Sequence, residues 1–228
     1  MAQQQTALII GASRGLGLGL VKQLVQQQWA VTATVRAPQS ADELKAVTGV
    51  KIETLDLDSQ DSLTALAQRL STQVFDLIFV NAGVLGPEHQ TAAAATQEEL
   101  GQLFMTNVTA PIRLAEQFVA QLRPNTGVLA FMSSVLGSVM NPEGNNLALY
   151  KASKAALNSL TNSFVCSLPA PRPTVLSLHP GWVRTAMGGP NGEIDVETSC
   201  AGLVAQVQRF AGTGGHYFVD YQGQTIAW

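Results

Sequence analysis

Tyr150 and Lys154 are four residues apart, and on a helix that spacing stacks both side chains on one face, a single turn from each other. Tyrosine has a pKa of about 10, so unaided it is a poor acid toward a developing alkoxide and a poor base near neutrality. An ammonium group beside it favours the phenolate and brings that pKa down. Lys154 can supply the ammonium. Lys151 follows Tyr150 directly but lies about 100° further round a helix, so it should face elsewhere. Ser133-Ser134 closes an apolar run sixteen residues before the tyrosine, where Ser134 can hydrogen-bond the same substrate oxygen. Each residue alone has an ordinary structural explanation: a half-buried tyrosine, a surface lysine, a strand-end serine. As a set they predict proton transfer to or from a carbonyl or alcohol oxygen.

Holding such a set takes a rigid scaffold, and strand and helix signals alternate along the chain. Short apolar runs predict buried strands over 7–10, 30–35, 51–55, 76–80, 127–132, 174–178 and 216–219. Helical spacing occupies 16–27, 62–70, 100–122, 149–167 and 196–210. Strand followed by helix, repeated without segregation, argues for a parallel sheet covered on both faces. No internal repeat or linker interrupts the pattern, and the Pro-rich 168–173 is short enough for a helix-to-strand turn. The expectation is one α/β domain over 1–228, a doubly wound parallel sheet of about seven strands.

The first strand-to-helix turn reads Gly11-Ala12-Ser13-Arg14-Gly15-Leu16-Gly17. Gly11 permits a sharp turn, while Gly15 and Gly17 remove side chains where a phosphate and the sheet must approach the helix. The spacing is GxxxGxG rather than the general GxGxxG, and an ordinary turn is the alternative. Its place after the first strand and before a helix favours a pyrophosphate cradle at a helix N-terminus, hence a Rossmann fold. Arg36 directly follows the second strand, where an acidic residue would hold an unmodified ribose and an arginine suits a 2′-phosphate. No Asp or Glu occurs between Val31 and Ala41. Unless Arg14 and Arg36 are only solvated surface charges, the cofactor is NADP(H) rather than NAD(H). Asp56 ends the third strand, placed to accept a hydrogen bond from an adenine amino group. Asn81-Ala82-Gly83 ends the fourth, where small residues let backbone pass close to an adenosine. All of these fall at carboxyl strand ends, where open α/β sheets bind ligands, although each alone suits simple turn chemistry. Proton chemistry beside dinucleotide binding points to a nicotinamide-dependent oxidoreductase.

Composition bounds the rest. With 228 residues, 46% hydrophobic and 13% charged, the chain can bury a sizeable core, facing inward or against a partner subunit. A net charge of −3 gives no electrostatic footprint for nucleic acid or an anionic membrane. Cys166 and Cys200 are too few for a disulfide framework and, on helical segments, read as buried thiols. The polar, uncharged start and the lack of a transmembrane-length run make a soluble cytoplasmic protein the expectation. His89, His179 and His216 share no metal-ligand spacing with acidic or cysteine partners, so no metal is expected and His179 reads as structural.

These motifs resemble the short-chain dehydrogenases/reductases, over nearly the whole chain from Leu8 to Trp228. The likeness rests on the three glycines, Asp56, Asn81-Ala82-Gly83, Asn107, Ser134, Tyr150-x-x-x-Lys154 and Pro180-Gly181-Trp182-Val183-Arg184-Thr185. It implies that Tyr150 is the general acid in reduction and that Lys154 lowers its pKa while binding the nicotinamide ribose. Ser134 would orient the carbonyl, and Asn107 would hold a water linking Lys154 to solvent. The resemblance also implies that Ser13, Leu16 and Leu57 join the glycines, Arg14, Arg36, Asp56, Asn81, Ala82 and Gly83 in holding the cofactor. Pro180, Gly181, Val183 and Thr185 would cover its nicotinamide end.

The segment from Pro180 through Gly189 and the tail from Phe218 to Trp228 are similar to sniffer-type carbonyl reductases and C-factor-like proteins. About ten residues separate Thr185 from the helix near Val196, so any lid should be small and the site tolerant of several carbonyl compounds. There are departures from the family. Ile10 stands where threonine is common, Val80 where a second asparagine is common, and Ala186 where the narrower group has aspartate. The long Ser134-to-Tyr150 interval implies a bulge over 141–146 bordering the substrate entrance. Trp182 and Met187 either line the pocket or pack. Apolar faces on 100–122 (Leu103, Phe104, Val108, Leu114, Phe118) and 149–167 (Ala152, Ala155, Ala156, Leu160, Phe164) suit core or subunit contact. Family likeness favours a dimer or tetramer on these helices, sniffer-type members need not oligomerise, and a homodimer is the expectation.

The expected activity is NADPH-dependent reduction of a small ketone, aldehyde, dicarbonyl or quinone, with Tyr150 protonating the oxygen. A non-catalytic cofactor-sensing or signalling protein on the same fold and a pterin-type reductase stay open. The set Asn107, Ser134, Tyr150 and Lys154 weighs against the sensor, which gains nothing from a proton donor and relay.

Overall fold

The computed structural model describes residues 4–144 and 146–228. The predicted alternation becomes seven strands: β1 (Thr6–Ile10), β2 (Ala30–Val35), β3 (Val50–Thr54), β4 (Leu77–Val80), β5 (Val128–Met132), β6 (Thr174–His179) and β7 (Gly215–Asp220). They form one sheet in the order β3-β2-β1-β4-β5-β6-β7, with every pairing parallel. The strand order reverses between β1 and β4, and the crevice beyond their carboxyl ends is where such sheets take ligands.

Helices α1 (Gly15–Gln26) and α7 (Val196–Phe210) cover one face. Helices α3 (Gln60–Arg69), α5 (Ala110–Phe118) and α6 (Ala148–Ser167) cover the other. The remaining helices are α2 (Asp42–Lys45), a single turn not foreseen, and α4 (Gln97–Phe104). Strand residues alternate between the two cores: Ile9, Phe79 and Ala130 face the first, Ile10, Val80 and Phe131 the second. Both faces are therefore dry, which is why β4 and β5 are continuous apolar runs rather than alternating ones. Each fully buried side chain of this kind stabilises the fold by about 1.5–3 kcal/mol relative to exposure.

The expected continuous helix over 100–122 is broken. It starts at α4, where Thr96 and Glu99 form a reciprocal capping box. A π-turn over Met105–Thr109 follows, then α5 and a 3-10 turn at Val119–Gln121. Pro111 has no N–H, so the Asn107 carbonyl four residues earlier receives no α-helical hydrogen bond. The ladder widens there, and the Ala110 N–H donates to Met105 O, five residues back. The buried-thiol expectation holds for Cys200 but not for Cys166, which is exposed. On α6 it follows the buried Val165 and turns outward. Of the apolar faces, Leu103, Val108, Leu114, Phe118 and Phe164 are core, while Ala152 and Leu160 are exposed.

The amino-terminal edge of the sheet is tied by charge. Asp76 accepts hydrogen bonds from Arg123 Nε (2.5 Å) and from the backbone N–H (2.9 Å) and hydroxyl (3.0 Å) of Thr6. Burial pushes the Asp76 carboxyl up, but Arg123 and Thr6 outweigh it and hold the pKa below its ordinary value. Among the described residues, no helix is long and apolar enough to cross a membrane.

Candidate active site

The glycine turn is wired to the strands on either side of it. The N–H groups of Gly11 and Ala12 donate to the Thr34 hydroxyl (3.1 Å) and carbonyl (2.8 Å) at the end of β2. Asn81 Nδ2 donates to the Gly11 carbonyl from the end of β4 (2.7 Å). Gly11 has φ +84°, and a Cβ there would lie 2.9 Å from the Ala82 Cα. A Cβ on Gly17 would meet the Gly11 carbonyl at 2.1 Å. Above Gly15 the surface opens, with only Thr185 Cγ2 within 4 Å of a Cβ placed there. Neither a capping side chain nor an acidic residue occupies the first turn of α1. A side-chain-free cradle at an uncapped helix N-terminus fits a pyrophosphate. Arg14 and Arg36 are exposed beside it, Ser13 and Leu16 are half-buried, and Asp56 is exposed at the end of β3. Leu57, by contrast, is core, so only its backbone can face a ligand.

The chemical residues converge at the same edge. Ser134 follows β5, is buried, accepts from the Leu136 N–H (3.2 Å), and acts to lower the pKa of the Tyr150 phenol. Burial pushes that phenol up to about 12, with Ser134 working the other way. Lys154 is 4% exposed, and its Nζ donates to the Met132 carbonyl (2.7 Å) and lies 5.6 Å from the Tyr150 ring centroid. Burial brings its pKa down to about 8. The expected depression of the tyrosine pKa is therefore not a property of the chain alone. Lys154 stands over the ring and spends a proton on a carbonyl, and desolvation dominates at the phenol.

Asn107 sits in the π-turn with both amide hydrogens used and one further acceptor site left on its oxygen. It accepts from the Val84 N–H (2.8 Å) and donates to the Val84 carbonyl (2.8 Å) and to Ser153 Oγ (3.0 Å). Ser153 donates onward to the Tyr150 carbonyl (2.7 Å). A Cβ on Gly83 would stand 3.3 Å from Asn107 Oδ1 and 3.6 Å from Lys154 Nζ. Glycine thus keeps open the space between asparagine and lysine.

The 180–195 segment is a self-tied loop. Val183 bridges Ile194 and Thr185 bridges Gly189. Thr185 Oγ1 accepts from the Gly188 N–H (3.0 Å), and Arg184 Nη1 donates to the Gly192 carbonyl (2.9 Å). Pro180 is pinned by Ser199 (2.6 Å), Gly181 adopts φ +81°, and Val183 is buried. Trp182 and Met187 are not packed inside; they are 51% and 48% exposed. Asn145 of the expected 141–146 bulge lies outside the described residues. Lys151 does face away from Tyr150, donating to the carbonyls of Asn141 and Glu143 in that bulge.

Three residues of this region escaped the sequence reading: Thr34, Ser153 and Gln90. Thr34 and Ser153 carried a usable signal, since a hydroxyl inside an apolar element must find a partner. Gln90 carried none. His179, held neutral by burial that lowers its pKa to about 4, faces no ligand cluster. Among the described residues there is no group of three side chains able to hold a metal.

The short chain dehydrogenase family model matches residues 5–195. Among solved structures, a carbonyl reductase from Pseudomonas aeruginosa PAO1 in complex with NADP shares 40% identity at TM-score 0.91, over 99% of this chain and 100% of that one. The carbonyl reductase Sniffer of D. melanogaster shares 32% at TM-score 0.86, over 99% and 100%. The C-signal protein of Myxococcus xanthus is 30% identical over 168 residues, 73% of this chain and 100% of that protein.

Proposed function

This chain belongs to the short-chain dehydrogenases, a family of oxidoreductases, and we propose that within it the chain is an NADPH-dependent reductase of small carbonyl compounds. The observation that carries this reading is a phenol kept protonated, influenced by a buried serine, with a buried ammonium beside it whose charge meets only the Met132 carbonyl among the described residues. All three stand at the strand ends that also carry the phosphate-sized cradle.

Bound NADPH supplies a hydride for the carbonyl carbon. Ser134 holds the carbonyl oxygen, and Tyr150, still protonated at neutral pH, donates its phenolic proton to the alkoxide as it forms. The phenolate left behind is stabilised by Lys154, which stays mostly cationic below its pKa of about 8. Asn107 and Lys154 flank the gap over Gly83, where a water returning the proton from solvent fits. Arg14 and Arg36 would hold the 2′-phosphate, and the 11–17 turn the pyrophosphate. Ser13, Leu16, the Leu57 backbone, Asp56 and Asn81 through Gly83 would line the adenosine side. Pro180, Gly181, Val183 and Thr185 would cover the nicotinamide. The short, self-tied 180–195 loop leaves room for more than one ketone, aldehyde, dicarbonyl or quinone.

NADPH oxidation followed by absorbance against such a panel, with quinonoid pterins included, tests the reading beside a Tyr150→Phe control. Turnover on carbonyl compounds that vanishes in the control is the expected result. Turnover confined to the pterins would make the protein a C=N reductase. Tight NADPH binding without turnover on any compound would replace the reading with a cofactor sensor.

A further inference from the structure

Gln90 lies in the loop after β4, 4% exposed, and its backbone is left-handed at φ +50°. That conformation is costly for a residue with a Cβ and persists only where surrounding contacts over-determine it. Here they do. Gln90 Nε2 donates to the carbonyls of Leu85 and Pro87, both at 2.8 Å, folding the loop round its own side chain. Its Oε1 accepts from the backbone N–H of Tyr150 at 2.9 Å, across 60 residues of sequence. The amide thus has both donor hydrogens and its acceptor engaged.

The Tyr150 N–H needs an outside partner. It belongs to the first turn of α6, whose N-cap, Leu147, offers no side-chain acceptor. Gln90 caps the helix from another element, at the residue whose side chain does the chemistry. The same loop is gripped from its other end, where Asn107 holds both backbone groups of Val84. Tyr150 is consequently bound to the rest of the site through its main chain on two sides, by Gln90 at its N–H and by Ser153 at its carbonyl.

We propose that Gln90 is a positioning residue for proton transfer, fixing the Tyr150 backbone so that the phenol meets the substrate oxygen held by Ser134. The proposal rests on the reductase reading above. Misplacing a reacting group by about 1 Å can cost up to about a hundredfold in rate. Gln90→Met keeps the length and removes all three hydrogen bonds. Gln90→Glu, held protonated by burial against the Leu85 and Pro87 carbonyls, keeps an acceptor for the Tyr150 N–H and one of the two donors to the loop.

Four quantities decide the matter: kcat, carbonyl KM, NADPH affinity and the solvent deuterium isotope effect on kcat. With 15N-tyrosine labelling, only three backbone signals are present, so the Tyr150 N–H is followed directly. In Gln90→Met we expect the Tyr150 signal to move, kcat to fall by about tenfold or more, and the isotope effect to rise, with NADPH affinity unchanged. In Gln90→Glu we expect a near wild-type kcat and isotope effect, with a raised carbonyl KM from the loosened loop. A folded Gln90→Met variant with wild-type kcat and isotope effect overturns the proposal. So does a Gln90→Glu variant with a raised isotope effect, which also decides the case if the methionine variant does not fold. Absence of turnover in the wild type would instead remove the reductase reading, and the proposal with it.

Discussion

The two ends of the sheet treat a buried charge in opposite ways. At the amino end, Asp76 is surrounded by donors from Arg123 and Thr6, which hold its pKa below the ordinary value against burial. At the carboxyl end, Lys154 is buried with a carbonyl but no carboxylate, and its pKa falls to about 8. The first arrangement favours the charged form and adds stability. The second leaves the charge under-compensated and available to a phenolate. Asp76 leads into β4 while Lys154 reaches the end of β5 from α6, so one end of the sheet can hold the fold while the other carries the proposed chemistry.

The largest expected effect breaks the reactive end. Tyr150→Phe should lower kcat by about 10²–10⁴-fold, as loss of a general acid does, while urea unfolding shows a stability loss of no more than about 1 kcal/mol for one hydrogen bond. Asp76→Ala should do the reverse. It should cost about 3 kcal/mol in the same unfolding measurement, the low end for breaking a buried pair, because Arg123 is 27% exposed. Its kcat should stay at the wild-type value. Since the folded pKa of Asp76 lies below its ordinary 3.8, this contribution is complete above that pH. It fades as pH falls through the lower folded value.

Lys154→Met sharpens the contrast. Activity should collapse, yet at pH 7 the variant should be more stable by about 2 kcal/mol, the burial penalty less one hydrogen bond. The folded pKa of about 8 sits below the ordinary 10.5, so the unfolded chain keeps a proton the folded one has lost between those values. Wild-type stability rises across that window, and the advantage of the variant disappears by its top. A thermal unfolding series from pH 7 to 11 that shows a constant gap would refute this account. The smallest effect concerns the cofactor edge. Arg36→Ala should weaken NADPH binding by about tenfold, roughly one charge-assisted contact, and leave NADH affinity unchanged in fluorescence titration.

Much of the fold was legible because both cores need dry strands. Continuous apolar runs such as Leu77–Val80 and the periodic helices left little choice of architecture. The break at Met105–Thr109 was not read, although Pro111 carried its cause. The glycines marked the candidate cradle by type, and Tyr150, Lys154 and Ser134 marked the proposed chemistry by spacing. What ties them together was hidden. Gln90, Ser153 and Thr34 act through hydrogen bonds between elements distant in sequence, and no local pattern encodes a partner 60 residues away. The burial of Tyr150 and Lys154 was hidden too, because desolvation depends on packing.

The place of β1 in the sheet governs how the protein must be born. β1 is synthesised first but lies centrally, paired with β2 on one side and β4 on the other. The Thr6–Asp76 clasp that secures it spans 70 residues. Until Leu77–Val80 leaves the ribosome, Thr6–Ile10 presents an open, uncharged apolar edge, the kind that recruits a strand from another chain. Expression yield should therefore depend on how soon Leu77–Val80 follows Thr6–Ile10 out of the ribosome, and slow codons that delay its emergence should send product into inclusion bodies.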